Sequence, residues 1–257
     1  MKDILNRLNG ELLEQPFAPH DGQLRTDDLT PYRDLARHYA RIEGAVAVLS
    51  DLRANTSLVY YGACARMLGL KGVREGSDGE LLDSIWEREI LDRIHPDDLH
   101  EKYLLELCFF HFIRSRPRRL RGEYYFANRL RMKDRTGRYV PVLHRLFYIA
   151  PSSENAVRLA LCLYTPALSD FPGRGVAVHT ATGEVQELGE RRDVRILSTR
   201  ERQVIELMAR GMMSKHIAQA LSISIHTVSR HRQDILRKLR VGNSVEACRV
   251  ARELGIL

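Results

Sequence analysis

The stretch SISIHTVSRHRQDILRKL, residues 222–239, predicts a helix with two chemically different faces. At about 100° per residue, one stripe is apolar and requires a core that buries it; its members are Ile225, Val228, Ile235, Leu236 and Leu239. Arg230, Gln233 and Arg237 share the opposite face. Arg232 lies near the apolar stripe, so its guanidinium must reach past the edge of the stripe to water or to a partner. The pattern therefore predicts a helix that packs on one side and presents hydrogen-bond donors on the other.

Length and composition indicate a globular protein that is long enough for two domains. The chain has 257 residues, of which 44% are hydrophobic and 28% are charged. No apolar run approaches the ~18 residues of a membrane span. The first fifteen residues carry charges within their apolar pattern, which predicts a helix and not a signal peptide. We therefore expect a cytoplasmic protein without membrane contact.

The cysteines are scattered along the sequence. Their spacing contains no C-x-x-C pair, which argues against a structural zinc site and against a disulfide framework. We expect them to be buried as small hydrophobic residues; they are Cys64, Cys108, Cys162 and Cys248.

The positive charge is concentrated at the C-terminal end. Residues 192–257 contain 13 Lys and Arg against 6 Asp and Glu, a net charge of +7, and this equals the net charge of the whole chain. A compact basic module on a neutral body is typical of a protein that binds a polyanion by neutralising phosphates and releasing counterions. A basic surface exposed only to solvent would have the same charge. The sequence pattern must therefore decide between a surface that binds a polyanion and one that faces only solvent.

Caps and stops divide this basic region into four predicted helices. The expected N-cap residues of the first three helices are Ser198, Ser214 and Ser224. Glu201 completes a capping box with Ser198, and Gly211 ends the first helix. The fourth helix runs through SVEACRVARELG to Gly255. Two short helices joined by a three-residue turn and followed by a longer basic one form a helix-turn-helix arrangement, in which the second helix of the pair enters the major groove.

Residues 197–257 resemble the LuxR-type helix-turn-helix domain over its entire length. The resemblance rests on Glu201, Gly211, the helix IAQAL, the run SI-HTV, His231 and ILRKL. It implies that base edges face Ser229, Arg230 and Gln233, and that phosphates are nearer to Lys215, Thr227, His231 and Arg237. Ser229 stands where the family commonly has lysine, and His216 where it usually has glutamate, so base preferences do not carry over. Arg230 could contact a guanine O6/N7 pair or a phosphate.

The region before the basic module predicts an α+β domain. Strand-like runs at residues 44–50 and 57–61 are followed by a mostly helical stretch that includes LLDSIWEREIL and RIHPDDLHEKYLLELCFFHFIRS. Three further strand-like runs come next, with turn residues between them. This order is similar to that of a PAS domain, and IHPDDL and the hairpin RLRMKDRTGRYVPVLHR are its best local matches. The resemblance implies a sensory or dimerisation domain with an antiparallel sheet.

The sequence contains no pattern that indicates catalysis or metal binding. His95, Asp97 and Asp98 could ligate a metal or act as an acid/base pair, but a proline followed by two acidic residues is more simply the start of a helix. No nucleophile–base–orienter set is visible. A phosphoreceiver domain and an acyl-homoserine-lactone pocket both lack the residues that they require. We predict no enzyme, no catalytic residues, no metal and no cofactor, other than a ligand of unknown identity in the PAS-like domain.

The predicted organisation is a helical extension (1–40), a PAS-like sensor or dimerisation domain (41–168), a linker with a β-hairpin (169–191) and a LuxR-type domain (192–257). The fold class is an α+β PAS-like domain with an antiparallel sheet and helices, followed by a separate all-α four-helix helix-turn-helix domain. We expect a DNA-binding transcriptional regulator that reads the major groove with helix 225–239, binds double-stranded DNA and forms a homodimer. In the fourth helix, Cys248 and Ala251 could allow close approach of a second copy or could face the core. The alternative is a ligand-binding protein or an enzyme whose basic tail only anchors it.

Overall fold

The computed structural model describes residues 2–17, 29–70, 79–151, 156–167, 175–188, 197–239, 241–253 and 256–257. Apart from residues 110–112, the residues up to Leu188 form one compact unit, and the helices from residue 197 onward belong to a second. None of the described helices is long and apolar enough to cross a membrane.

The first unit is built around one antiparallel sheet. In chain order its elements are α1 (Lys2–Leu13), α2 (Thr30–Ile42), β1 (Val46–Asp51), β2 (Thr56–Tyr61), α3 (Ala63–Leu68), β3 (Glu80–Leu82), α4 (Arg88–Leu91), α5 (Pro96–Ser115), a 3-10 helix (Arg118–Glu123), β4 (Tyr124–Lys133), β5 (Tyr139–Pro151), β6 (Val157–Pro166), β7 (Val176–His179) and β8 (Val185–Glu187). The strand order is β3-β2-β1-β6-β5-β4-β7-β8, and each neighbouring pair is antiparallel.

Strand β1 shows why the sheet needs cover on both faces. All six of its residues are buried. Since successive side chains point to opposite faces, Val46 and Val48 pack in one core cluster, whereas Ala47 and Leu49 pack in another together with Ala36 and Ala40 of α2. The alternating side chains of this one buried strand therefore contribute to the hydrophobic cores on both faces of the sheet.

The predicted start of α5 is confirmed. His95 is the N-cap residue, and its Nδ1 accepts from the backbone N–H of Asp97 at 3.3 Å. The carboxylate of Asp98 accepts hydrogen bonds from the backbone N–H and the guanidinium of Arg131, which joins the helix to β4. Both acidic residues therefore have structural partners at the beginning of the helix.

The hairpin between β4 and β5 is also confirmed. The carboxylate of Asp134 accepts hydrogen bonds from the backbone N–H groups of Thr136 and Arg138, at 2.7 and 3.0 Å. Gly137 takes a positive φ of 85°, which its lack of a Cβ permits. The turn sequence DRTG therefore specifies this connection locally.

Two details of the first unit differ from the sequence prediction. The stretch LLDSIWEREIL was expected to be mostly helical, but it contributes the end of the edge strand β3 and the short helix α4, because Leu81 and Leu82 pair with β2. The hairpin predicted within a linker forms as β7 and β8, and it extends the sheet because β7 pairs with β4. Short apolar runs fit either structure, and only the pairing partner decides between them.

The cysteines largely follow the expectation of burial. Cys64, Cys108 and Cys248 are buried, whereas Cys162 on β6 is only partly buried. All four thiols are free.

Gly62, between β2 and α3, has no room for a side chain. A Cβ there would overlap backbone atoms of Ala40 and Gly44 and would lie 2.6 Å from the carbonyl oxygen of Ala45. We predict that Gly62→Ala lowers the free energy of unfolding by about 3 kcal/mol, because backbone atoms cannot yield as a flexible side chain can. Urea unfolding followed by fluorescence of the single tryptophan, Trp86, measures the change. Gly122→Ala is the matched control, since nothing lies within 4 Å of its Cβ, and an equal loss in both variants would contradict the prediction.

Candidate nucleic-acid interface

The described residues of the second unit form four helices, as predicted. They are α6 (Thr199–Ala209), α7 (Ser214–Leu221), α8 (Ile225–Leu239) and α9 (Ser244–Glu253). The expected capping box is present, since the Ser198 N–H donates to Glu201 Oε2 at 2.6 Å and the Glu201 N–H donates to Ser198 Oγ at 3.3 Å. Gly211 follows α6 with a φ of 79°. The predicted stop of α9 at Gly255 lies outside the described residues.

The turn between α7 and α8 has the expected length, and the expected cap of α8 is present. Ser224 Oγ accepts from the backbone N–H of Thr227 at 3.0 Å, which is an N-cap bond. The prediction for Ser214 is wrong, because Met213 occupies the N-cap position of α7 and Ser214 is the first helical residue. Its hydroxyl accepts a hydrogen bond from Arg232 instead.

Helix α8 packs through three residues of its predicted apolar stripe. Val228, Ile235 and Leu239 are buried, and α8 contacts α6, α7 and α9. Leu236 is only partly buried. Ile225 departs from the prediction with 51% of its surface exposed, since it is the first residue of the helix and lies beyond the reach of the core. The interior of the unit therefore fixes α8 along its middle and C-terminal turns.

Arg232 explains how a cation can lie beside the apolar stripe. Its Nη1 donates to Ser214 Oγ at 3.0 Å and its Nη2 donates to Ser244 Oγ at 2.7 Å. These serines are the first residues of α7 and α9. One guanidinium therefore joins the N-terminal ends of two helices to the middle of the third, and it uses the planar fork that lysine lacks.

A second polar contact joins α8 to α6. Lys238 Nζ lies 2.7 Å from Glu201 Oε2. Burial acts to raise the pKa of Glu201, but the hydrogen bonds from Lys238 and Ser198 outweigh it and hold this pKa below its ordinary value. The carboxylate that begins α6 therefore also fixes the C-terminal half of α8.

The opposite face of α8 is open and polar. Its exposed side chains recur at helical spacing and form a continuous stripe, here called the outer face: His226, Ser229, Arg230, Gln233 and Arg237. His226 was not among the predicted site residues, although its position three residues before Ser229 places it on this face. Arg237 Nη2 donates to Asp234 Oδ1 at 2.7 Å.

The remaining predicted phosphate contacts lie beside the outer face or on α7. Lys215 is exposed on α7, whereas Thr227 and His231 are partly buried. The Thr227 hydroxyl lies 2.8 Å from Ser224 Oγ, so it takes part in the local cap. The structure thus brings the exposed predicted residues of α8 onto one surface and places Lys215 on the preceding helix.

A cavity with a mostly apolar wall and a few charged and polar groups lies within the first unit. Its volume is about 40 Å³, which is enough to hold water. Trp86 and Tyr148 contribute to its walls, and so does the buried ion pair of Lys102 Nζ with Glu106 Oε1 at 2.7 Å. Glu87 also lines the cavity, and its burial raises its pKa to about 7. A small polar molecule could be bound here.

The four helices define a helix-turn-helix unit with a long third helix whose outer face is free for contact. Residues 195–251 match the family described as bacterial regulatory proteins, luxR family. The C-terminal unit is accordingly a LuxR-family DNA-binding domain.

Similar curated proteins match part of this chain. The transcriptional regulatory protein UhpA of Escherichia coli (strain K12) is 49% identical over 53 residues, which cover 21% of this chain and 27% of UhpA. The transcriptional regulatory protein FixJ of Azorhizobium caulinodans is 34% identical over 114 residues, which cover 41% of this chain and 54% of FixJ. The matched segments thus span between about a quarter and about half of these relatives.

Among solved structures, the phage VqmA–DPO complex aligns over 90% of this chain and 92% of its own, with 15% identity and a TM-score of 0.30. Escherichia coli SdiA aligns over 98% of both chains with 13% identity and a TM-score of 0.26. These TM-scores are too low to define a common arrangement of the whole chain.

The bonds of Arg232 yield a prediction about the second unit. We expect Arg232→Met to destabilise this unit by about 2 kcal/mol, because the aliphatic stem keeps its packing while two charged hydrogen bonds are lost. Hydrogen exchange of the full-length protein should then be roughly 30-fold faster for backbone amides of α7 and α9. Arg237→Met is the control, since that guanidinium bonds to Asp234 within its own helix. Unchanged exchange in α7 and α9 would refute a stabilising role for Arg232.

Proposed function

We propose that this protein is a transcriptional regulator that binds specific sites on double-stranded DNA by inserting α8 into the major groove. The observation that carries the proposal is the outer face of α8, a continuous polar stripe on a helix whose other side is fixed in a core. The major groove is about 12 Å wide and admits one helix. The net charge of +7 on residues 192–257 supports attraction to the phosphate backbone.

The exposed side chains differ in what they can recognise. We assign base edges to Ser229, Arg230 and Gln233, because a guanidinium pairs with guanine O6 and N7, and a glutamine amide with adenine N6 and N7. The phosphate contacts are assigned to Lys215, Thr227, His231 and Arg237. Phosphate contacts fix the register of the helix on the duplex, and base contacts provide the sequence preference.

The first unit acts, in this proposal, as a PAS-like domain that senses a small molecule or mediates dimerisation. Its core follows the order that resembles a PAS domain: two strands, a mostly helical stretch that also contains β3, and three antiparallel strands, with β2-β1-β6-β5-β4 adjacent in the sheet. The cavity supports the sensory role, since ligand sites are concave and mostly apolar, with a few polar groups that orient the ligand. A regulator of this kind would act in the cytoplasm, where the DNA is.

Arg230 and Gln233 provide the sharpest test of base reading. We expect Arg230→Ala and Gln233→Ala each to weaken binding of the full-length protein to its selected sites by about 1–3 kcal/mol, roughly 5- to 150-fold, while binding to random duplex changes little. The sites are obtained by selecting duplexes from a random pool with the wild-type protein. Affinities are measured by fluorescence anisotropy over a range of salt concentrations.

The control is Arg200→Ala, which removes the same charge from an exposed position on α6. Equal losses on selected and random DNA would place Arg230 and Gln233 among the phosphate contacts. The salt dependence should correspond to about four or more phosphates per monomer. A slope near zero would overturn the DNA-binding proposal and favour a protein whose basic region only anchors it.

A dimer is the expected functional unit, because one recognition helix reads only a few base pairs and its specificity is too small against genomic competitor sites. We place the C-terminal contact on the exposed side of α9. Cys248 and Ala251 are buried and face the core, whereas Val245 has 83% of its surface exposed. Val245→Asp is predicted to convert dimers on a palindromic duplex into singly bound monomers, as measured by analytical ultracentrifugation of the full-length protein.

Val185→Asp serves as the matched control, since Val185 is an exposed valine of the first unit. If the wild-type protein bound palindromic DNA only as a monomer at saturating concentration, the dimer proposal would have to be abandoned. If both valine variants remained dimeric, the contact would lie elsewhere than on α9.

A further inference from the structure

Three side chains of types that can bind a metal ion converge inside the first unit from three different elements. Glu106 lies on α5, His144 on β5 and Cys162 on β6, and one ligand atom of each lies within 4.8 Å of the others. We propose that Glu106, His144 and Cys162 bind a thiophilic divalent metal ion of the Zn²⁺ class. The proposal concerns the first unit alone and does not depend on DNA binding.

The orientation of His144 is the strongest observation. The ring is fully buried, and its Nδ1 lies 2.9 Å from Asn128 Oδ1. Because an amide oxygen only accepts, Nδ1 carries the proton and Nε2 presents its lone pair. Within the described parts of the chain, Nε2 has no hydrogen-bond partner. Metal-binding histidines are typically held in this way, with the second ring nitrogen bonded to an outer acceptor.

The neutral imidazole is the form that binds a metal. The Nε2 of His144 lies 3.6 Å from Glu106 Oε1, so the unprotonated ring nitrogen and a carboxyl oxygen face each other. A cation between these two acceptors would bind both.

Cys162 determines the class of metal. A thiolate together with an imidazole favours zinc and similar ions over Mg²⁺ and Ca²⁺, which prefer oxygen ligands. A thiol binds a metal as its thiolate, so metal binding displaces the proton of Cys162 to solvent as the sulfur–metal bond forms. The charge of a divalent ion is then offset by one thiolate and one carboxylate.

The cavity provides access to the cluster. Glu106 and Cys162 belong to its lining, which leaves space for water or a small polar molecule as a further ligand. Sites with three protein ligands commonly keep such an open position. Lys102 lies 2.7 Å from Glu106 Oε1 and therefore competes with the metal for this carboxylate.

Titration with Co²⁺ tests both whether a metal ion binds and whether the sulfur of Cys162 is one of its ligands. Tag-free full-length protein is stripped with a chelator and titrated with Co²⁺. We expect a thiolate-to-cobalt charge-transfer band that saturates at one equivalent per chain and disappears when Zn²⁺ is added. Cys162→Ser, which keeps the size of the side chain, should abolish the band. Cys248→Ser, in the second unit, should retain it.

Asn128 tests the positioning of the histidine. Asn128→Ala should raise the Kd for Co²⁺ about 10- to 100-fold while the charge-transfer band persists, because it removes the acceptor that orients the ring and leaves all three ligands in place. His144→Gln should weaken binding at least as much. Thermal unfolding of each metal-free variant separates loss of a ligand from loss of the fold. No band in the wild-type protein, or an unchanged band in a folded Cys162→Ser variant, would overturn the proposal.

Discussion

The second unit depends on one helix that must be held firmly on one side and left free on the other. Val228, Ile235 and Leu239 supply the apolar contact, but a stripe of only three buried residues leaves the rotation of α8 about its own axis weakly specified. Arg232 removes that freedom, because its two nitrogens are bonded to the first residues of α7 and α9. The direction of the outer face therefore follows from a polar contact at the edge of the core. A recognition helix needs this precision, since base contacts are lost when their donors are displaced by about the length of a bond.

The second unit was the more predictable of the two because its signals are local. A capping box spans four residues, Gly211 ends α6 by its own φ, and the apolar stripe of α8 can be read within about four turns. The errors have the same origin. Ser214 looks like an N-cap until Arg232, eighteen residues later, uses its hydroxyl, and Ile225 fits the stripe although the core does not extend to it. Local patterns define the helices, and tertiary partners decide which polar groups each side chain meets.

The first unit shows what a sequence pattern cannot provide. Its longer strands were evident from alternation and turn residues, but β3 and the β7–β8 hairpin gain their places only from pairing with β2 and β4. The same holds for the proposed metal site. His144 and Cys162 come together because β5 and β6 pair in a register that sets His144 opposite Tyr164 and Leu146 opposite Cys162. No spacing rule for metal ligands applies to residues brought together by a register, so scattered cysteines led to the expectation of no metal.

The interior charges distinguish between the two roles considered for the first unit. Lys102 and Glu106 are both almost fully buried, and removing such a pair from water costs several kcal/mol per ion, which their attraction repays only in part. Apolar residues of similar size would stabilise the same fold at least as well. Charged groups beside a cavity are useful to a domain that binds a ligand, whereas a dimer contact needs only the surface. Their arrangement beside Glu87, His144 and Cys162 therefore supports the ligand-binding role proposed for the first unit.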